Sequence, residues 1–277
     1  MPTAHVNDID LNYVLEGEGE QTIVLINGLA DDLVSWDFQV PALLAAGHRV
    51  LRFDNRGIGE SSAPAGPYTS RMLADDAKAL VDHLGLTDVH LMGVSMGGMI
   101  AQEYALAHGE DLRSLTLACT YAAPGEFCSR MFAMWAELAR GMGVPFVMRD
   151  VSLWAFTVPF FETRTADAVE FEDAMAGLPM SLEAYLSQLN VIQQHDTTDR
   201  LGQVSVPTLV LAGEEDILIP VRLSRRLHDG IEGSRWATVP GGHACLWESP
   251  DPFNTTFLDF VQTTSRRPAA TRSRRPA

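Results

Sequence analysis

Short apolar runs, separated by turn-forming residues, set the rhythm of this chain. Runs near residues 22–27, 48–53, 89–94, 114–119, 207–212 and 235–239 are rich in Val, Leu, Ile and Thr. Each is too short for a helix and is bounded by Gly, Pro, Asn or Asp, so each predicts a buried strand. Near 36–46, 70–85, 97–108, 221–230 and 251–262 the apolar positions instead recur every three or four residues, the period of amphipathic helices. Residues 3–15 predict a hairpin before the first of these units. Strands alternating with helices need crossover connections. The pattern therefore predicts an α/β fold with a mostly parallel central sheet and helices on both faces.

That rhythm stops between residues 121 and 200, where no clear strand is visible. We read the segment as a helical cap (lid) inserted into a core formed by residues 1–120 and 201–262. The cap holds half of the chain's aromatic residues and six of its 11 methionines. Part of that surface must form the cap's own core. The remainder is expected to line an apolar substrate pocket, with Trp135, Trp154, Phe156 and Phe160 as candidate contacts. Arg130, Arg140, Arg149 and Arg164 are candidates to meet a substrate carboxylate, since a guanidinium pairs well with one. His195 is a weaker candidate for a cap contact.

Candidate chemistry centres on Gly93-Val94-Ser95-Met96-Gly97, between a predicted strand and a predicted helix. A G-x-S-x-G in that context makes a turn so tight that the flanking side chains must be absent, and it lifts the serine hydroxyl clear of the sheet. Ser95 is expected in a strained backbone conformation of the kind that persists at functional sites. A serine hydroxyl is a weak nucleophile and needs a histidine base held by a carboxylate. In this architecture they follow in the order serine, acid, histidine. Asp216 lies in the loop leaving the strand near 207–212, at the sheet edge where open α/β sheets bind ligands. Glu215 and Glu126 are the fallback acids. Of eight histidines, His243 alone follows the acid, leaves a strand and sits in a glycine-rich loop. His5, His48, His83, His90, His108 and His228 are expected to be solvated. An oxyanion would be held by backbone N–H groups. One is expected from Met96 and the other from Leu29, just after Gly28, which counts with the substrate-binding residues. Asp54-Asn55-Arg56-Gly57-Ile58-Gly59 lacks dinucleotide-binding spacing. It reads as a turn whose Asp54 and Arg56 tie neighbouring loops together.

With these motifs in place, residues 1 to about 262 resemble the α/β-hydrolase superfamily. Asn27-Gly28-Leu29, the Asp54 to Ser61 turn, the Gly93 to Gly98 elbow, the Asp216 to Pro220 loop and Gly242-His243 carry the resemblance. Within the superfamily the chain is most similar to 3-oxoadipate enol-lactonases. The next likeness is to carbon–carbon bond hydrolases of aromatic degradation, through the elbow and the His243 to Glu248 segment. Those enzymes carry a tryptophan after the histidine, where Ala244 stands here. The resemblance implies a serine hydrolase cleaving a small carboxylic ester or lactone, without a cofactor or metal. Carbon–carbon hydrolysis of a vinylogous diketone, or a hydrolase-like small-molecule receptor, remain as alternatives.

Composition adds constraints. No stretch of 18 apolar residues exists to span a membrane, and the start lacks a secretory signal pattern. Cys119, Cys128 and Cys245 fit neither a disulfide framework nor a zinc site, and Cys245 reads as packing. A cytoplasmic location is therefore expected. The net charge is −16, and five arginines (Arg266, Arg267, Arg272, Arg274 and Arg275) crowd the last dozen residues. Residues 263–277 have too little apolar surface to repay ordering and are expected to be a disordered Arg-rich tail. Removing those charges leaves a strongly acidic body, which argues against nucleic acid as a partner. The expected partner is a small-molecule substrate, with no membrane; the sequence leaves homo-oligomer formation open.

Overall fold

The computed structural model describes residues 1–265. The Arg-rich tail from Arg266 onward lies outside the described residues. The fold is built on a sheet of eight strands: β1 (Thr3–Val6), β2 (Ile9–Glu16), β3 (Thr22–Ile26), β4 (Arg49–Phe53), β5 (Val89–Val94), β6 (Leu112–Ala118), β7 (Thr208–Gly213) and β8 (Arg235–Val239). Their order is β1-β2-β4-β3-β5-β6-β7-β8. β1 and β2 form the predicted hairpin, turning through Asn7 and Asp8, which both have positive φ. Such a turn matches the twist of paired strands. β2 runs antiparallel to β4, and all later pairings are parallel. β3, β5 and β7 are buried along their whole length, as parallel strands covered on both faces must be.

Eleven helices complete the described residues: α1 (Val40–Ala45), α2 (Ser70–His83), α3 (Met96–His108), α4 (Gly125–Met142), α5 (Val144–Ala155), α6 (Val158–Thr163), α7 (Thr165–Gly177), α8 (Leu182–Gln194), α9 (Val221–Gly230), α10 (Cys245–Glu248) and α11 (Pro250–Ser265). Apolar residues of α2, α3 and α9 pack into one core cluster. Those of α1, α10 and α11 join the other. Helices α4 to α8 fall between β6 and β7, and their buried residues are continuous with the α2–α3 core.

Several boundaries differ from the sequence reading. The helix expected over 36–46 is two pieces, a single turn over Leu33–Trp36 and then α1. The last helix runs on to Ser265, so residues 263–265 belong to the body rather than the tail. His48 and His90 are not solvated. His90 is fully buried in β5 and pairs through Nδ1 with Ser114 Oγ at 2.7 Å, with the His48 ring at 6.1 Å. A polar residue in a strand covered on both faces has to find its partner inside.

Candidate active site

The turn between β5 and α3 holds Ser95 at φ 54°, ψ −119°. This is an unfavourable region for a residue with a Cβ, and the surroundings enforce it. A Cβ on Gly93 would lie 2.0 Å from the Gly97 carbonyl oxygen, and one on Gly97 would lie 2.1 Å from that of Ile26. Both clashes are with backbone, which cannot swing away. Ser95 N–H donates to Ala118 O at 2.9 Å, and Thr120 Oγ1 donates to Ser95 O at 2.8 Å. The serine backbone is thus clamped between strands β5 and β6.

Beyond β7, the loop places Asp216 fully within the fold. Its Oδ1 accepts from Ile219 N at 2.8 Å, and its Oδ2 pairs with His243 Nδ1 at 2.9 Å. Glu215 and Glu126 are exposed, and Glu126 pairs with Arg130 instead. Burial opposes charge on His243, but the Asp216 carboxylate and its hydrogen bond outweigh burial and raise the imidazole to about 9. The loop carrying His243 is tied down on both sides. Gly242 N donates to Glu248 Oε2 at 2.6 Å, and Ala244 N donates to Ala155 O at 2.9 Å. Glu248 Oε1 also accepts from Thr157 N at 3.2 Å and from the Thr157 hydroxyl. Glu248 therefore joins the histidine loop to the α5–α6 corner.

The loop after β3 is held just as firmly. Asn27 Nδ2 donates to Asp31 O and Phe53 O, both at 3.2 Å, while its Oδ1 accepts from Trp36 Nε1. Asp54 accepts from Leu33 N at 2.8 Å and from Asn12 Nδ2 at 2.7 Å. Arg56 pairs with Asp76 of α2 at 2.5 Å. From α8, the buried amide of Gln188 accepts from Ala30 N at 3.0 Å and donates to Arg56 O at 2.8 Å. Met96 is the first residue of α3, where a helix leaves its N–H groups without intrahelical acceptors.

Ser95, His243, Gly28 and Leu29 line one cavity of about 60 Å³. Its other walls are mainly apolar: Phe132, Trp135, Met148, Val151, Met175, Ile192, Leu218 and Ile219 among them. The lining contains one further polar side chain, Asp31, which sequence reasoning missed. The only signal for it is an acidic pair, Asp31-Asp32, in a segment that is otherwise mostly apolar and small. Gln188 and Glu248 also escaped the sequence reading, because nothing local marks them.

The cap residues divide. Trp135 lines the cavity. Phe156 and Phe160 do not; they stack on each other at 4.3 Å and line a separate cleft of about 560 Å³ with Phe38, Phe171 and Trp247. Trp154 lines neither hollow: its ring meets Phe127 edge-on and its Nε1 donates to Asp150 at 3.2 Å. The four candidate arginines are spent on surface ion pairs with Glu126, Glu137, Asp173 and Asp167. None lines the cavity, and Arg164 borders the outer cleft. His195 is buried where α8 ends and pairs with Ser70 Oγ at 2.9 Å, and burial holds its imidazole down at about 4.

Two cysteines that are distant in sequence meet below the histidine. Cys119 Sγ and Cys245 Sγ lie 3.5 Å apart, both buried. The Cys119 thiol, the Asp216 carboxylate and the His243 imidazole could together face a metal ion, their ligand atoms lying within 4.8 Å of one another. The hydrogen bond to Cys245, with burial, holds the Cys119 thiol well above its usual range, so it is a neutral and poor ligand. Asp216 is already engaged by His243 and Ile219. The donor set does not favour a metal.

A strand–elbow–helix serine beside an acid–histidine pair, on a mostly parallel eight-stranded sheet, defines a hydrolase architecture. The sequence profile of the alpha/beta hydrolase fold matches residues 21–250, and the chain belongs to this family. It is 33% identical to the "Putative carbamate hydrolase RutD" of Azorhizobium caulinodans, over 94% of this chain and 98% of that protein. It is 31% identical to a 2-hydroxy-6-oxononadienedioate/2-hydroxy-6-oxononatrienedioate hydrolase of Klebsiella pneumoniae, over 93% of this chain and 90% of that one. The crystal structure of the enol-lactonase from Burkholderia xenovorans LB400 superposes with a TM-score of 0.88 at 31% identity, covering 94% of this chain and all of that one. Three different names at near-equal identity leave the choice of substrate to the site. Among the described residues, no helix is long and apolar enough to cross a membrane.

Proposed function

We propose that this protein is a serine hydrolase that cleaves a small, uncharged carboxylic ester or lactone through an acyl-enzyme. Ser95 Oγ attacks the carbonyl carbon while His243 takes its proton. The attack forms the new Oγ–C bond and a tetrahedral oxyanion, whose collapse breaks the bond to the alkoxy oxygen; that oxygen takes the proton from His243 and leaves as the alcohol, or stays tethered as a hydroxyl where the substrate is a lactone. His243 then removes a proton from water, which attacks the acyl carbon and returns Ser95 as the free hydroxyl. Asp216 holds the imidazole with Nδ1 toward itself and favours the cation formed in each step. The N–H groups of Leu29 and Met96 are the donors for the oxyanion.

The observation that carries this reading is the strained Ser95 sharing one cavity with His243, itself bonded to Asp216. The cavity's small volume and the lack of a lining Lys or Arg favour an uncharged acyl group over an acid-bearing lactone. The likeness to the Klebsiella hydrolase supports a second reading, carbon–carbon cleavage of a vinylogous diketone by the same residues. Steady-state hydrolysis of short-chain p-nitrophenyl esters by wild type and Ser95→Ala tests the proposal. Multiple turnovers lost in the variant support it. Turnover that survives in Ser95→Ala sinks it, and binding without turnover points to a receptor.

A further inference from the structure

The cavity beside Ser95 contains one polar side chain for which the hydrolytic cycle has no use. Asp31 is 7% exposed, and its Oδ1 is buried with no hydrogen-bond partner in the protein. Its Oδ2 reaches the same spot as the nucleophile: a Cβ on Gly28 would lie 2.8 Å from Asp31 Oδ2 and 3.6 Å from Ser95 Cβ. Burial, with the Asp32 charge adding to it, raises the Asp31 carboxyl to about 7, although the His243 charge and hydrogen bonds from the Ser35 side chain and the Gly28 backbone work the other way. Buried polar atoms in native proteins almost always find a partner, and Asp31 is the one acidic side chain in a mainly apolar lining, so a substrate donor entering beside Ser95 would meet its carboxylate. The other lining side chains, apart from Ser95 and His243, are apolar and offer the carboxyl nothing.

We propose that Asp31 determines substrate specificity: its carboxylate accepts a hydrogen bond from a hydroxyl or amine carried on the carbon next to the reacting carbonyl. The preferred substrates are then small hydroxy- or amino-acyl esters, and acyl groups bearing a carboxylate are repelled. The inference rests on the Ser95 hydrolysis proposed above and narrows its substrate class. A site built to bond a substrate hydroxyl discriminates strongly against the analogue that lacks it, because its own buried group is left unpaired.

The test compares phenyl glycolate with phenyl propionate, which differ by a hydroxyl in place of a methyl. At pH 8, the glycolate-to-propionate ratio of kcat/KM is expected to fall about tenfold or more in Asp31→Ala, the scale of a hydrogen bond to a charged acceptor. Reading a ratio of ratios removes the difference in intrinsic ester reactivity. Asp31→Asn preserves volume and removes a buried charge, which protects folding, and its neutral acceptor should give a smaller fall in the same direction. In wild type alone, glycolamide should inhibit phenyl propionate hydrolysis more tightly than propionamide does. Ratios within about twofold of wild type in a folded variant, or equal inhibition by the two amides, overturn the role of Asp31 while hydrolysis stands. Absence of Ser95-dependent turnover of both esters overturns the hydrolytic reading, and this inference falls with it.

Discussion

The hollow at Ser95 and the outer cleft, both among the described residues, share a single lining residue, Met175. The one at Ser95 is narrow and mainly apolar, with Asp31 as its one acidic side chain. The outer cleft is about nine times larger, at roughly 560 Å³ against 60 Å³. It combines a cluster of aromatic rings with Asp32, Asp37, Asp167, Glu170 and Arg164. Size and aromatic content would choose the outer cleft as the substrate site, whereas the proposed mechanism places the substrate in the inner one. The contrast teaches that most aromatic residues of a small helical insertion bury one another. The stacked Phe156 and Phe160, with Phe171 and Trp247 against Phe156, hold α5, α6, α7 and the segment after His243 together.

The hardest test of this contrast is Ser95→Ala. If the inner cavity is where chemistry occurs, kcat should fall by roughly a thousandfold or more with folding unchanged. Trp135→Ala and Phe160→Ala form the next pair. Each removes a large buried ring and should cost about 3 kcal/mol in urea unfolding. Of the two, only Trp135→Ala should alter the dependence of kcat/KM on acyl-chain length, because Trp135 walls the Ser95 cavity and Phe160 does not. An equal change in Phe160→Ala would show that the outer cleft also holds substrate.

Titration of His243 gives a third test. On the proposed mechanism the imidazole must be neutral to take the Ser95 proton, and Asp216 raises it to about 9 against burial. From pH 7 to 9, kcat/KM should therefore climb by roughly one to two orders of magnitude before levelling. In Asp216→Asn the plateau should begin at lower pH, at a much reduced height. Linkage supplies the matching stability effect. A folded-state value raised from 6.5 to about 9 adds stability that is fully present below pH 6.5 and is lost as pH rises through 9. Urea midpoints at pH 6 and 9.5 should show that loss in wild type and much less of it in Asp216→Asn.

The smallest effect is expected at the surface arginines. Arg130 and its partner Glu126 are 79% and 77% exposed along their side chains. Arg130→Ala should shift stability by no more than about 0.5 kcal/mol and leave ester kinetics alone. A selective loss of activity toward carboxylate-bearing esters would restore it as a substrate contact.

Much of the body was legible because its constraints are local. The buried run 22–26 and the elbow glycines are dictated by backbone geometry within a few residues, and β3, β5 and β7 fall where the apolar runs predicted. The order serine, acid, histidine singled out Ser95, Asp216 and His243, and the fold carries all three to the same end of the sheet. Less was legible wherever a polar residue depends on a distant partner. His90 looks like a surface residue until Ser114 is placed beside it. Gln188 looks like an ordinary helix residue, yet it bonds the loop after β3 across 158 positions of sequence.

The alternating α/β core, the strained turn at Ser95 and the helical character of the segment between β6 and β7 all follow from local sequence. Hydrophobic period and glycine placement act over one turn or one strand, so they can be read in order along the chain. Which aromatic rings face Ser95, the pairing of the cap arginines with surface acids, and the placing of Asp31 in the Ser95 cavity were settled by the tertiary fold. Those outcomes turn on which side chains meet after the chain has folded back on itself, and burial has no one-dimensional signature for a single polar atom.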